Sequence, residues 1–172
     1  MKQINRLSSK LAAIGIYCLA MLGICAAPVA PAFAAGAVEM QVEHILAQAI
    51  DGYNQAMEAG DSSAWMNYFT DNVQRRSPVS EQTGKKDFAD YFVWEFKNFQ
   101  AKIVTKKIIV SGRSAAVLSV WDAIHKPSGT PVKLEMVAIY ELASSGRFDS
   151  VSFYYDTAKA GKFLAENAAA TK

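Results

Sequence analysis

The sequence predicts an α+β domain in which helices cover one face of a curved antiparallel sheet. Three observations lead there. Up to Phe99, apolar residues recur at helical spacing in three segments. Beyond Phe99, "AKIVTKKIIVSG", "SAAVLSVWDAIH", "VKLEMVAIYEL" and "RFDSVSFYYD" are rich in β-branched and aromatic residues. The stretches "SGRS", "KPSGTP" and "ASSGR" punctuate this second half as turns. A curled sheet capped by three N-terminal helices makes a cone, and a cone has an interior.

The chain opens on an address label. Lys2, Arg6 and Lys10 precede the uncharged run Leu11–Ala27, and Ala32-Phe33-Ala34 fits the small-x-small cleavage pattern. These are the marks of a secretory signal peptide, so residues 1–34 are expected to be removed and residues 35–172 to form one domain. The apolar run is short for a bilayer span, which needs roughly 20 residues, and Pro28 and Pro31 close it. Lipidation at Cys25 is disfavoured because Ile24, not a small residue, precedes it. The expected location is therefore the periplasm or the exterior, with no membrane association after cleavage.

Three of the 18 Lys and Arg residues, and none of the 16 Asp and Glu residues, lie in this leader. The remainder carries 15 bases against 16 acids, a net charge of −1. That balance argues against a nucleic-acid partner. Both cysteines, Cys18 and Cys25, also fall in the leader, so the domain has neither thiol nor disulfide and is held by packing. No internal repeat or low-complexity tract interrupts it.

The first helix is expected from Val38 to Ala59, on the stripe Val42, Ile45, Leu46, Ala49, Ile50, Tyr53, Ala56 and Met57. Gly60 suits the left-handed position that ends it. Asp61 caps a short second helix, "SSAWMNYF", whose Trp65, Tyr68 and Phe69 face inward. "TDNVQRRSP" reads as a turn and a short strand. "QTGKKDFADYFVWEFKNF" reads as the third helix, with Phe88, Tyr91, Phe92, Glu95, Phe96 and Phe99 on neighbouring faces. Four strands follow, and the tail "AENAAATK" is expected to fray.

The order "GYNQAMEAGDSSAWMNYFTDNV", "TGKKDFADYF" and "YELASSGRFDSVSFYYD" resembles the nuclear transport factor 2-like superfamily. Its nearest branches are the SnoaL-like and ketosteroid isomerase-like domains. The most telling pieces are Ala59-Gly60-Asp61, Gly84 at the third helix and Gly146-Arg147 in the last hairpin. The resemblance implies a cone-shaped cystatin-like roll, dimers packed through the sheet, and a pocket reused for many chemistries, so fold alone does not name a function. Ketosteroid isomerase needs an aspartate base, a tyrosine donor and an aspartic acid held neutral. By the resemblance these positions fall on Ser77, Tyr53 and Ala138. Only the tyrosine is kept, and steroid isomerisation is not expected.

Strand alternation extends the pocket. If Ser77 faces the interior, Arg75 does too, and Arg76 faces out. If Ala138 faces inward, so do Leu134, Met136 and Tyr140. The resemblance turns Val151, Phe153 and Tyr155 inward, and more weakly Ser119, Trp121 and Ala123. The candidate ligand-binding set is Tyr53, Arg75, Ser77, Trp121, Met136, Tyr140, Phe153 and Tyr155. Such a lining fits a small hydrophobic molecule with one anionic end. The bland alternatives are an Arg75 that reaches solvent along an apolar wall, a Tyr53 or Trp121 that belongs to the core, and a His125 exposed in its hairpin.

The sequence names no inward acid to pair with Arg75. His44 and Glu135 are expected at the surface, and Lys106-Lys107 on an exposed strand edge. Outside the leader, two histidines and no cysteine give no transition-metal cluster. Neither a phosphate-binding glycine loop nor a nucleophile elbow is present, and no cofactor is expected. The expected function is that of an exported, homodimeric domain binding a small hydrophobic or anionic molecule. One alternative is an isomerase, cyclase or dehydratase using His125 and Tyr53 as catalytic residues. The other is a protein-interaction domain that uses its sheet.

Overall fold

A computed structural model describes residues 30–167. The basic and apolar parts of the expected leader, with both cysteines, lie outside the described residues, as do residues 168–172 of the tail. Helix α1 spans Ala30–Ala59. Val42, Leu46, Ala49, Ile50, Tyr53, Ala56 and Met57 are all buried, so the apolar stripe is the face that meets the core. Gly60 adopts φ +68°, and the Asp61 amide donates to the Ala56 carbonyl at 3.2 Å. A residue with a Cβ would be strained there.

The expected second helix is shorter than its sequence suggests. Asp61 does cap, accepting the Ser63 amide at 2.9 Å, but only a 3₁₀ turn at Trp65–Tyr68 follows. The cause is local packing. The Trp65 indole donates to the Ala49 carbonyl at 2.7 Å, pinning the turn against α1. A Cβ on Gly52 would come within 3.1 Å of Tyr68 and 3.2 Å of Trp65, so glycine permits this approach. The rings of Tyr53, Phe69, Phe88 and Phe92 meet Trp65 edge-on, with centroids 4.4–5.5 Å away.

Six strands form one sheet: β1 (Phe69–Ser77), β2 (Ser80–Thr83), β3 (Phe99–Ser111), β4 (Ser114–His125), β5 (Thr130–Leu142) and β6 (Phe148–Tyr155). Helix α2 (Lys85–Asn98) follows β2, and α3 (Thr157–Asn167) follows β6. The sheet order is β2-β1-β6-β5-β4-β3. The α+β architecture, with helices against a curved, unclosed sheet, is as expected. Three details differ. Ser80–Thr83, expected partly at the start of the third helix, is a strand, and α2 opens behind Gly84 at φ +90°. Strands β1 and β6 pair in parallel, making the sheet mixed: the whole meander separates them in sequence, so no hairpin imposes antiparallel pairing. The third α-helix is C-terminal, and it includes the start of the tail expected to fray.

One side chain ties the helical layer to the sheet. Asn54 on α1 donates to the Ile103 carbonyl at 3.2 Å and accepts the Ile103 amide at 2.8 Å. It thus fills both backbone groups of one residue on β3, one of the two edge strands of the described sheet. On that strand Lys106 and Lys107 are exposed, and Lys106 pairs with the exposed Glu135 at 2.8 Å. His44 is exposed. On the sheet's other face, Leu118, Val120 and Val137 are half-buried and Ile139 is exposed.

Candidate functional site

The layers leave a cavity of about 150 Å³. Tyr53 comes from α1, Arg75 from β1, Tyr91, Trp94 and Glu95 from α2, and Trp121 from β4. Leu134, Met136 and Tyr140 enter from β5, Phe153 and Tyr155 from β6, and Ala160 and Phe163 from α3. Seven of the eight candidate binding residues line this space; Ser77 does not. Ser77 is half-buried and its hydroxyl is engaged with Ser80, at 3.1 Å to Oγ and 3.2 Å to the carbonyl oxygen. Ala138 is buried, as strand parity requires, but like Ser119, Ala123 and Val151 it lies in the packed wall rather than on the cavity surface.

The structure turns an acid of the third-helix stripe into the cavity. Glu95 is 6% exposed and lines the cavity. The Tyr53 hydroxyl donates to its Oε1 at 2.6 Å. The Trp121 indole N–H is shared between the Tyr53 oxygen at 2.9 Å and the same Oε1 at 3.2 Å. Both donors therefore converge on one carboxylate oxygen, and Oε2 receives no hydrogen bond from a described residue. Burial raises the carboxyl above its ordinary range; the Tyr53 hydrogen bond, the Arg75 charge and the Trp121 hydrogen bond oppose it. Glu95 can thus hold or give up a proton, or accept a donor, inside an apolar enclosure. Burial, and then the charge and hydrogen bond of Glu95, keep the Tyr53 phenol protonated. Because that proton points at Glu95, Tyr53 is a positioned member of a network, not a donor left free for a ligand.

Arg75 does not run to solvent. It is 6% exposed, and its guanidinium stacks 3.8 Å above the Tyr91 ring centroid, with Phe153 at 5.2 Å. Nη1 donates to Ser80 Oγ at 3.1 Å and to Gln82 Oε1 at 2.7 Å, both neutral. Strand pairing explains this, since Arg75 stands opposite Gln82 across the β1–β2 hairpin. Among the described residues no carboxylate lies within the 4 Å of an ion pair with Arg75. Its Nε is buried without an acceptor, and among the described residues Nη2 makes no hydrogen bond. Those two N–H groups form one edge of the guanidinium, the edge that grips a carboxylate with two parallel hydrogen bonds. Burial also raises the phenols of Tyr91 and Tyr140 far above their ordinary value, so both remain neutral. Arg76, one residue on, is exposed and reaches Glu81 at 3.6 Å.

His125 is neither exposed nor part of the cavity lining. It is 3% exposed, boxed by Phe99 and Phe163 with ring centroids 5.3 and 5.7 Å away. Its Nδ1 lies 2.8 Å from Ser128 Oγ, which donates to Thr130 Oγ1 at 2.8 Å. The hairpin does not leave it open because α3 brings Phe163 over it. No cluster of metal-ligating side chains occurs among the described residues, and no described helix is long and apolar enough to cross a membrane.

A family model for the SnoaL-like domain matches residues 50–151, more than half of the chain. The chain belongs to the SnoaL-like domain family. Solved structures agree on its nuclear transport factor 2-like fold. SalBIII, described as an epoxide hydrolase/cyclase-like enzyme in pyran ring formation in salinomycin, is 23% identical over 70% of this chain and 95% of its own, with a TM-score of 0.61. A proposed SnoaL-like polyketide cyclase from Jannaschia sp. is 15% identical over 74% and 92%, with a TM-score of 0.61. A nuclear transport factor 2-like protein from Anabaena variabilis is 12% identical over 68% and 90%, again at 0.61. At these identities the likeness is one of fold. No curated protein matches the sequence.

Proposed function

We propose that this SnoaL-like domain binds a small, largely apolar molecule through a carboxylate seated on Arg75. The observation that carries the reading is a buried guanidinium at the cavity wall whose Nε has no acceptor and whose hydrogen bonds to described residues all leave from Nη1. A buried cation that cannot lose its proton calls for an anionic partner. The cavity volume suits a single ring: an engineered apolar cavity of about 150 Å³ holds benzene. The test is calorimetric titration with 4-methylbenzoate and 4-methylbenzamide at neutral pH. The acid should bind and the amide should not bind comparably. Arg75→Ala should weaken the acid by about 1.5–3 kcal/mol, the worth of hydrogen bonds to a charged group, while Arg76→Ala on the exposed face leaves it unchanged. Equal binding of acid and amide, or equal effects of the two substitutions, would overturn the reading. The catalytic alternative on His125 and Tyr53 gains no support from the geometry, since His125 is boxed by Phe99, Phe163 and Ser128 and Tyr53 is committed to Glu95.

The same proposal includes export and self-association. The leader pattern of residues 1–34 supports export, and a packed unit begins at Ala34. Intact mass of the exported protein should place its N-terminus at Ala35. The outward row Leu118, Val120, Val137 and Ile139 supports a homodimer through the sheet.

A further inference from the structure

The cavity holds a buried guanidinium and a buried carboxyl that do not meet. Arg75 and Glu95 both line it, each 6% exposed, and they form no ion pair within 4 Å. Each spends its strongest contacts elsewhere. Arg75 gives Nη1 to two neutral acceptors. Glu95 gives Oε1 to the Tyr53 hydroxyl and the Trp121 indole. What remains is one donor edge on Arg75 and one acceptor oxygen, Oε2, on Glu95. Between and around them the wall is aromatic, including Tyr91, Trp94, Phe99 and Trp121. Ring faces attract a cation as well as an apolar body.

We infer that the ligand is zwitterionic: a small amino-carboxylate or betaine-like molecule, its carboxylate on Arg75 and its ammonium on Glu95 among the aromatic rings. The inference rests on the proposed carboxylate site at Arg75 and adds the other end of the ligand. The charge balance favours it. A simple carboxylate neutralises Arg75 but stands in the field of the buried Glu95, and a simple amine faces the converse problem with Arg75. A molecule with both charges satisfies each side chain and leaves the cavity neutral. The convergence of two donors on Oε1 holds the carboxylate in place for this role, because it fixes the side chain while leaving Oε2 free to accept from an ammonium.

The test compares 4-(aminomethyl)benzoate, 3-(aminomethyl)benzoate, 4-methylbenzoate and 4-methylbenzylamine by calorimetric titration against the full domain. At least one amino acid should bind about tenfold or more tightly than 4-methylbenzoate, the increment expected for a hydrogen bond to a charged group. In Glu95→Gln that advantage should disappear, with 4-methylbenzoate bound as well as before or better. Glutamine keeps a carbonyl oxygen for Tyr53 and Trp121, so the network survives. If neither amino acid outbinds 4-methylbenzoate, the zwitterion is wrong while the carboxylate site stands. If the advantage persists in Glu95→Gln, the ammonium is not held by Glu95 and the inference fails. If 4-methylbenzoate and its amide bind alike, the carboxylate site itself fails. The wild-type comparison stands without the variant.

Discussion

Tyr53→Phe removes one oxygen from the centre of the site and should report directly on the state of Glu95. The lost contact is a 2.6 Å hydrogen bond from a neutral phenol to a buried carboxyl. With Glu95 ionised, such a bond contributes about 1.5–3 kcal/mol. The loss is not complete, because Trp121 N–H already lies 3.2 Å from the same oxygen and can turn wholly to it. A destabilisation of about 1–2 kcal/mol follows where Glu95 is ionised. The pH dependence carries the sharper information. Burial raises the Glu95 carboxyl in the folded protein, so the folded state takes up its proton more readily than the unfolded chain. Its stabilising contribution is fully present below the ordinary glutamate range and is lost as pH rises through the raised folded value. The Tyr53 hydrogen bond opposes that rise, so Tyr53→Phe lifts the carboxyl further and widens the window of loss. In acid, where both proteins carry a protonated Glu95, only a neutral hydrogen bond is missing, worth about 0.5–1.5 kcal/mol. Urea unfolding of both proteins across this range, with a constant m-value, measures the difference. An equal cost at acid and neutral pH would refute the argument, as would a cost that grows toward acid.

Glu95→Gln in the empty protein should gain on the wild type as pH rises above the ordinary glutamate range, since the variant has no buried charge to form; parallel stability curves would contradict this. Asn54→Ala should cost about 1–3 kcal/mol, two hydrogen bonds' worth, and should speed amide hydrogen exchange at Ile103 more than on β5. Trp65→Ala removes the hub of the aromatic cluster and should cost about 3–5 kcal/mol by chemical denaturation. Light scattering at micromolar concentration should give the mass of two chains, and substituting Val137 and Ile139 together by lysine should give one.

Residue patterns that act locally were legible in the chain. The α1 stripe, the Gly60 stop, the strand segments and the Arg75/Arg76 alternation each follow from the spacing of near neighbours. Glu95 was also within reach: it lies three residues from Phe92 and one from Phe96, on an otherwise aromatic helix face, and an acid in that position is either exposed by a twist or buried with partners. The sequence could not choose, because the partners Tyr53 and Trp121 lie 42 and 26 residues away. The parallel pairing of β1 with β6 left no local mark either, since no turn joins them. His125 was misplaced because its cover comes from Phe163, on a short helix in an alanine-rich stretch with too few apolar residues to announce itself.

That helix brings two of its side chains into the interior. Ala160 and Phe163 complete the cavity wall, and Phe163 also closes over Phe99 and His125. A chain cut short before Phe163 would keep every residue of the family match at 50–151 and every strand, yet it would present a wider mouth and an open imidazole. In such a trimmed protein His125 would lose the ring that covers it.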